Sequence, residues 1–241
     1  MRSANLDDLP VSLTLPHPLD NPIWSALATR QAHLAIGDSR ARRFPADISP
    51  LAAAHDGSPE TSLALARLLP PGGGLVQMQP APVLPPAGVA VTMSAAGVQM
   101  IASRLAPGGQ DAPLLDLNEA DAPDMLALTA LTRPGPFLAR THTLGRFLGV
   151  REEGRLIAMA GERLQPEGFT EISAVCTHPD HVGRGHGAAL MRAVAARIFA
   201  RGEIAFLHAF ASNTGAIGLY RKLGFQIRCE VTGSGWGEPQ L

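Results

Sequence analysis

Two cysteines, one lysine and one tyrosine are all that this sequence has of those residue types, and each scarcity excludes something. Cys176 and Cys229 form no C-x-x-C pattern, so neither a disulfide framework nor a zinc ribbon is expected, and a reducing, cytoplasmic setting fits. Lys222 is the single lysine and follows no glycine, which rules out a Walker phosphate loop. A formal net charge of −1 supplies no long-range positive field, so no nucleic-acid partner and no membrane surface is expected. No apolar run approaches a bilayer-spanning length, and the opening "MRSANLDDLP" lacks the apolar stretch of an export signal. What is abundant is hydrophobic residues, 46% of 241, enough to bury a substantial core.

Before about residue 110 the chain is rich in proline and glycine and weakly periodic. "PIWSALATRQAHLAIG" carries Trp24, Leu27, Gln31 and Leu34 at helical spacing, and "SPETSLALARLLPPGGG" reads as a helix with Ser58 as N-cap and Pro59 in its first turn. "QPAPVLPPAG" is too proline-rich for a central strand. A boundary is expected near residue 110, in "APGGQDAP", separating an N-terminal subdomain, 1–110, from a second unit, 111–241.

The signals sharpen after Asp116. "DAPDMLALTALTRPGPF" predicts a helix with Asp121 as N-cap and a stop at Pro134. "RFLGVRE", "RLIAMAGER" and "FTEISAVCT" predict an antiparallel meander. "AALMRAVAARIFARG" is an amphipathic helix ending at Gly202, and the apolar "EIAFLHAF" after it predicts a parallel crossover. Asn213 or Ser212 caps a last helix, "TGAIGLYRKL", and "FQIRCEV" alternates as a half-buried strand. The fold class that follows is mixed α/β with a mixed sheet.

Between the third meander strand and the amphipathic helix lies "HPDHVGRGHG", residues 178–187, with three glycines and three histidines. Such a junction is a plain turn, a phosphate cradle or a metal loop. A helix N-terminus leaves backbone N–H groups unpaired beside a partial positive charge, and Gly183, Gly185 and Gly187 would let an anion approach them, with Arg184 alongside. A dinucleotide fingerprint fits poorly, because the acidic residue it needs at the end of the next strand is absent: Glu203 opens that strand. His178, His181 and His186 lack the i, i+4 spacing of a helical metal pair, and no metal is expected.

The stretch 147–231 resembles the GCN5-related N-acetyltransferase (GNAT) family, in particular its FR47-like branch, through "EISAVCTHPDHVGRGHGAALM" and "FLHAFASNTGAIGLYRKLGF". Gly185 and Gly187 match the family's loop glycines, while Val182 stands where Arg or Gln is usual. The resemblance implies a sheet that splays to admit acetyl-CoA, with Val175, Cys176 and Thr177 offering backbone to the pantetheine arm. Val182, Gly183, Arg184, Gly185, His186, Gly187 and Ala188 would then cradle the diphosphate, and Asn213 would border the cofactor. It extends a GNAT-like fold over 111–241, with residues 1–110 as an added subdomain or a degenerate GNAT-like half.

It also implies direct attack of an amine on acetyl-CoA in a ternary complex. Tyr220 stands where the family keeps the acid for the departing thiolate; read from its helix alone it is a packing aromatic. Along "TEISAVCT" the odd positions Glu171, Ser173, Val175 and Thr177 are expected to face the cleft together, with Glu171 as base and its pKa raised by burial. An exposed carboxylate at Glu171 making a cross-strand pair with an arginine is the alternative, and His208 is a second candidate base. By analogy with the family, "LTALTRPGPFLART" shapes the acceptor pocket. The expected acceptor is a small-molecule primary amine or amino acid, and a homodimer is compatible with the sequence. Alternatives are a glycine N-acyltransferase-like enzyme using other acyl-CoAs and a non-catalytic acyl-CoA-binding module.

Overall fold

The computed structural model describes residues 17–81, 83–108 and 113–239. The sequence opening and the centre of the expected boundary, 109–112, lie outside the described residues. Three short strands, β1 (Ile36–Gly37), β2 (Ala41–Arg43) and β3 (Ala52–Ala54), form a small antiparallel sheet. The main sheet contains β4 (Leu75–Gln79), β5 (Ala90–Ala102), β6 (Leu115–Leu117), β7 (Phe147–Glu152), β8 (Arg155–Glu162), β9 (Phe169–Thr177), β10 (Ile204–Phe210) and β11 (Gln226–Gly237). Its order is β4-β11-β5-β10-β9-β8-β7-β6. The helices are α1 (Pro22–Ala28), α2 (Pro59–Ala66), α3 (Ala122–Thr132), α4 (His186–Ala200) and α5 (Thr214–Leu223).

Several elements of the C-terminal part follow their sequence pattern. β7, β8 and β9 pair antiparallel as a meander, and the apolar stripe of α4 packs Leu190, Met191, Val194 and Ile198 onto one face of the sheet. α4 also makes the crossover that brings β10 parallel to β9. Asn213 caps α5 by accepting the Ala216 N–H at 3.1 Å, and Gly224 ends the helix at φ 107°, a left-handed conformation suited to glycine.

Other parts depart from the pattern. The helical spacing from Trp24 to Leu34 breaks after Ala28 into a separate 3-10 turn. Gln31 is drawn into the core, where its Nε2 donates to the Arg163 carbonyl at 2.8 Å, and that tertiary bond overrides the helical periodicity. Asp121 does not cap α3; its carboxylate accepts from the Asn118 N–H at 2.9 Å and from Arg151 at 2.6 Å. The strand predicted at "FQIRCEV" runs on to Gly237, with a bulge at Arg228 that interrupts the alternation.

The longest strand, β5, carries no clear sequence signal and lies before residue 110, yet it sits between β10 and β11. β4 pairs with the far side of β11. The chain on the two sides of residue 110 therefore builds one sheet. α4 and α5 cover one of its faces. α1 and the core around Phe44, Ile48 and Phe206 lie on the other.

Candidate active site

β9 and β10 pair over three positions only, Phe169 to Glu171 against Ile204 to Phe206. From there β10 continues against β5, Leu207 to Phe210 facing Met100 to Gly97, and β9 continues against β8. The sheet opens like a V, and beyond Glu171 no strand among the described residues lies beside the β9 edge facing β10.

A bulge sharpens the opening. Gly161 pairs with Ser173 and Met159 with Cys176, so β9 has one extra residue, and Ala174 there adopts φ 52°, in the left-handed region. The extra residue reverses which face each later side chain points to. Val175 packs with the α4 core, whereas Cys176 turns the other way to pack with Met125, Leu128 and Met159. The expectation that all four odd positions share one face is therefore corrected: Glu171 and Ser173 precede the reversal, and Val175 and Thr177 follow it. Burial pushes the Cys176 thiol up to about 11, as suits a packing residue.

A cleft of about 200 Å³ fills the V. Ser173, Ala174 and Val175 border it from β9, and Leu207, His208, Ala209 and Phe210 from β10. Asn213, the cap of α5, and Tyr220 within that helix border it too, with Pro134, Gly135 and Pro136 from the loop after α3, within the segment expected to shape the acceptor pocket. Tyr220 is partly buried against Phe225, and burial raises its hydroxyl pKa, so the phenol keeps its proton at neutral pH.

Behind the vertex lies a buried polar network. Glu171 is fully buried and does not border the cleft. Its carboxylate takes two hydrogen bonds from Arg163, both at 2.7 Å, and one from His208 Nδ1 at 2.7 Å. Burial pushes its pKa up, but Arg163 and His208 outweigh that and hold it down at about 2, so the expected raised pKa is corrected. The pairing with an arginine is present, but the carboxylate is buried rather than exposed as that reading had it. Gln99 of β5 completes the network. Its Oε1 accepts from Arg228 at 3.0 Å, and its Nε2 donates to the Leu19 carbonyl at 2.9 Å and to His208 Nε2 at 3.1 Å. With its Nε2 accepting from Gln99, the His208 ring carries its proton on Nδ1, toward Glu171. Arg163 and Gln99 have no motif signal; each is visible only once β5, β9 and β10 are side by side.

The loop from Val182 to Gly185 is exposed, and Gly183 (φ 85°) and Gly185 (φ 83°) both need the left-handed region open to glycine. Among the described residues no side chain caps α4, so its first-turn N–H groups at His186, Gly187 and Ala188 are left without a side-chain partner. A Cβ added at Gly183 or Gly185 would meet nothing within 4 Å, and one at Gly187 only Leu219 at 4.0 Å. Arg184 extends alongside, 3.4 Å from Glu152. His178 and His181 stack edge to face at 5.6 Å. Among the described residues no group of His, Cys, Asp or Glu is placed to hold a metal ion. No helix among them is long and apolar enough to cross a membrane.

The sequence model of the FR47-like protein family matches residues 147–232. A crystal structure of a GNAT-family protein from Novosphingobium aromaticivorans is 41% identical, with a TM-score of 0.87 over 93% of this chain and 100% of that one. The chain belongs to the GNAT family of acetyltransferases. The N-alpha-acetyltransferase RimI of Mycobacterium tuberculosis is 36% identical over 92 residues, which is 37% of this chain and 56% of that protein. A GCN5-related N-acetyltransferase from Kribbella flavida, 18% identical, shares the fold at a TM-score of 0.59 over 90% of this chain and 96% of its own.

Proposed function

We propose that the protein transfers an acetyl group from acetyl-CoA to a primary amine of a small molecule or amino acid, by direct attack in a ternary complex. The observation that carries this reading is the V itself: a strand edge left free beside a helix N-terminus that no side chain caps. The residues fit the donor. The open loop and the first turn of α4 offer backbone N–H groups to a diphosphate, and the free β9 edge at Ser173 to Val175 offers backbone to an extended pantetheine arm. Acetyl-CoA supplies a thioester: an N–C bond replaces the C–S bond, one amine proton passes to water, and the departing sulfur takes a proton from the protein, which water then restores.

The protein's part is placement and proton supply. Tyr220 holds a proton at the cleft and donates it to the leaving sulfur. Glu171, sealed behind the cleft, serves as a positioning residue: its carboxylate fixes Arg163 and His208, both of which border the cleft. The apolar walls limit water near the reacting atoms. The acceptor class has a second reading, the terminal α-amine of a polypeptide, which the similarity to the mycobacterial N-alpha-acetyltransferase favours.

The test is thiol release from acetyl-CoA with panels of amines, amino acids and short peptides. Tyr220→Phe is expected to lower kcat by roughly 10²- to 10⁴-fold while acetyl-CoA still raises Tm. An unchanged kcat assigns the proton to another group, and an acetyl-CoA thermal shift with no acceptor turned over favours the binding-module alternative.

A further inference from the structure

We infer that the acceptor is a primary amine carried on an apolar body with no second positive charge, seated in a trough on the sheet face opposite α4 and α5. This rests on the acetyl-transfer reading above and names its substrate class.

Strand alternation fixes which face the trough occupies. In β5, Val98, Met100 and Ala102 pack into the core beneath α4 and α5. The odd-numbered positions Met93, Ala95 and Gly97, of the opposite alternation, point the other way and line the cleft. The glycine loop opens α4, on the covered side, so donor and acceptor reach the V from opposite faces. β4 adds Val76 and Met78 to the trough, and β11 adds Val231 and Gly233.

The floor is kept low by small residues, and its two glycines are there for different reasons. A Cβ at Gly97 would lie 2.9 Å from the Ala209 carbonyl oxygen, so strand packing itself demands glycine there. A Cβ at Gly233 would lie 3.6 Å from the Ala95 oxygen and 3.7 Å from the Met93 methyl, ordinary contacts, and Gly233 has no positive φ. The sheet would accept a side chain at 233, and its absence leaves depth in the trough.

Charge selects within that shape. Among the described residues the ionisable side chains bordering the cleft are Arg163, His208 and Tyr220, and no carboxylate borders it. Glu171 lies behind, already engaged by Arg163 and His208. A second ammonium in the trough would lose its water without gaining a counter-ion, whereas an alkyl or aryl group would meet methionine, valine and leucine.

Matched amines test this, with acetyl-CoA as donor: hexylamine against 1,6-diaminohexane, and leucinamide against lysinamide. The apolar member of each pair is expected to have kcat/KM at least about tenfold higher. Gly233→Leu is expected to reduce the hexylamine value by about tenfold or more, and an acetyl-CoA thermal shift in the variant shows that it is folded. With that shift present, equal or better use of the diamines overturns the inference. So does an inactive apolar panel, or a Gly233→Leu protein whose hexylamine kcat/KM is unchanged. Faster transfer from hexanoyl-CoA to glycine than from acetyl-CoA to hexylamine assigns the trough to the acyl chain and also overturns it. Failure of acetyl-CoA to shift Tm in the unaltered protein overturns the acetyl-transfer reading beneath it.

Discussion

Glu171 carries a negative charge with no access to water, and what surrounds it decides both stability and acid response. Replacing it by glutamine keeps the shape and removes the charge that offsets the Arg163 guanidinium. Breaking one side of a buried ion pair leaves the other uncompensated, a loss of about 3–5 kcal/mol, so the denaturation midpoint of Glu171→Gln should fall markedly. The pH dependence has a definite sign. A carboxyl whose folded pKa is about 2 and whose ordinary value is 4.5 stabilises the fold fully above about 4.5. Below that the unfolded chain takes up the proton first, and the stabilisation is lost as pH falls toward 2. Stability measured between pH 5 and pH 2 should therefore slope downward in the unaltered protein and less steeply in Glu171→Gln. An equal slope would show that the charge is not held as described.

At the scale of elements, α4 and its loop allow folding and binding to be separated. Gly187 has ordinary backbone geometry and open surroundings, so Gly187→Glu should fold normally, and an acidic residue in the first turn suits the helix dipole. The same carboxylate would repel a diphosphate at the uncapped N–H groups. The expected result is an unchanged or raised Tm without ligand and a CoA affinity at least about tenfold weaker, since even one 1.4 kcal/mol repulsion is tenfold; calorimetric titration measures it. This region was legible in the sequence because its devices are local: glycines at a strand-helix junction, an apolar stripe on α4, an Asn cap on α5. The β9 face was not, because one bulged residue at Ala174 reverses the alternation and leaves no mark in the pattern. β5 escaped for a different reason. "AVTMSAAGVQMIA" is nearly all small or medium residues with no alternation, and two of the small ones, Ala95 and Gly97, border the trough.

For the molecule as a whole, the decisive arrangement is that β10 and β11 do not touch; β5 lies between them. A fragment limited to residues 111–241 would lose that strand and leave two edges with unpaired backbone in the middle of the sheet. It is expected to lack a cooperative unfolding transition and to aggregate, and supplying residues 1–110 as a separate chain should restore solubility. A monomeric, cooperatively melting fragment would refute this. Sequence patterning alone suggested a boundary at 110 because proline and glycine cluster there; strand pairing across that point is a long-range property that local composition does not report.

Seating β5 between strands more than a hundred residues downstream also bears on how the chain matures. Pairings this remote in sequence place the protein among slow folders of high contact order. On the ribosome the early strand must wait, partnerless, until β10 and then β11 emerge, so a nascent chain would lean on chaperones.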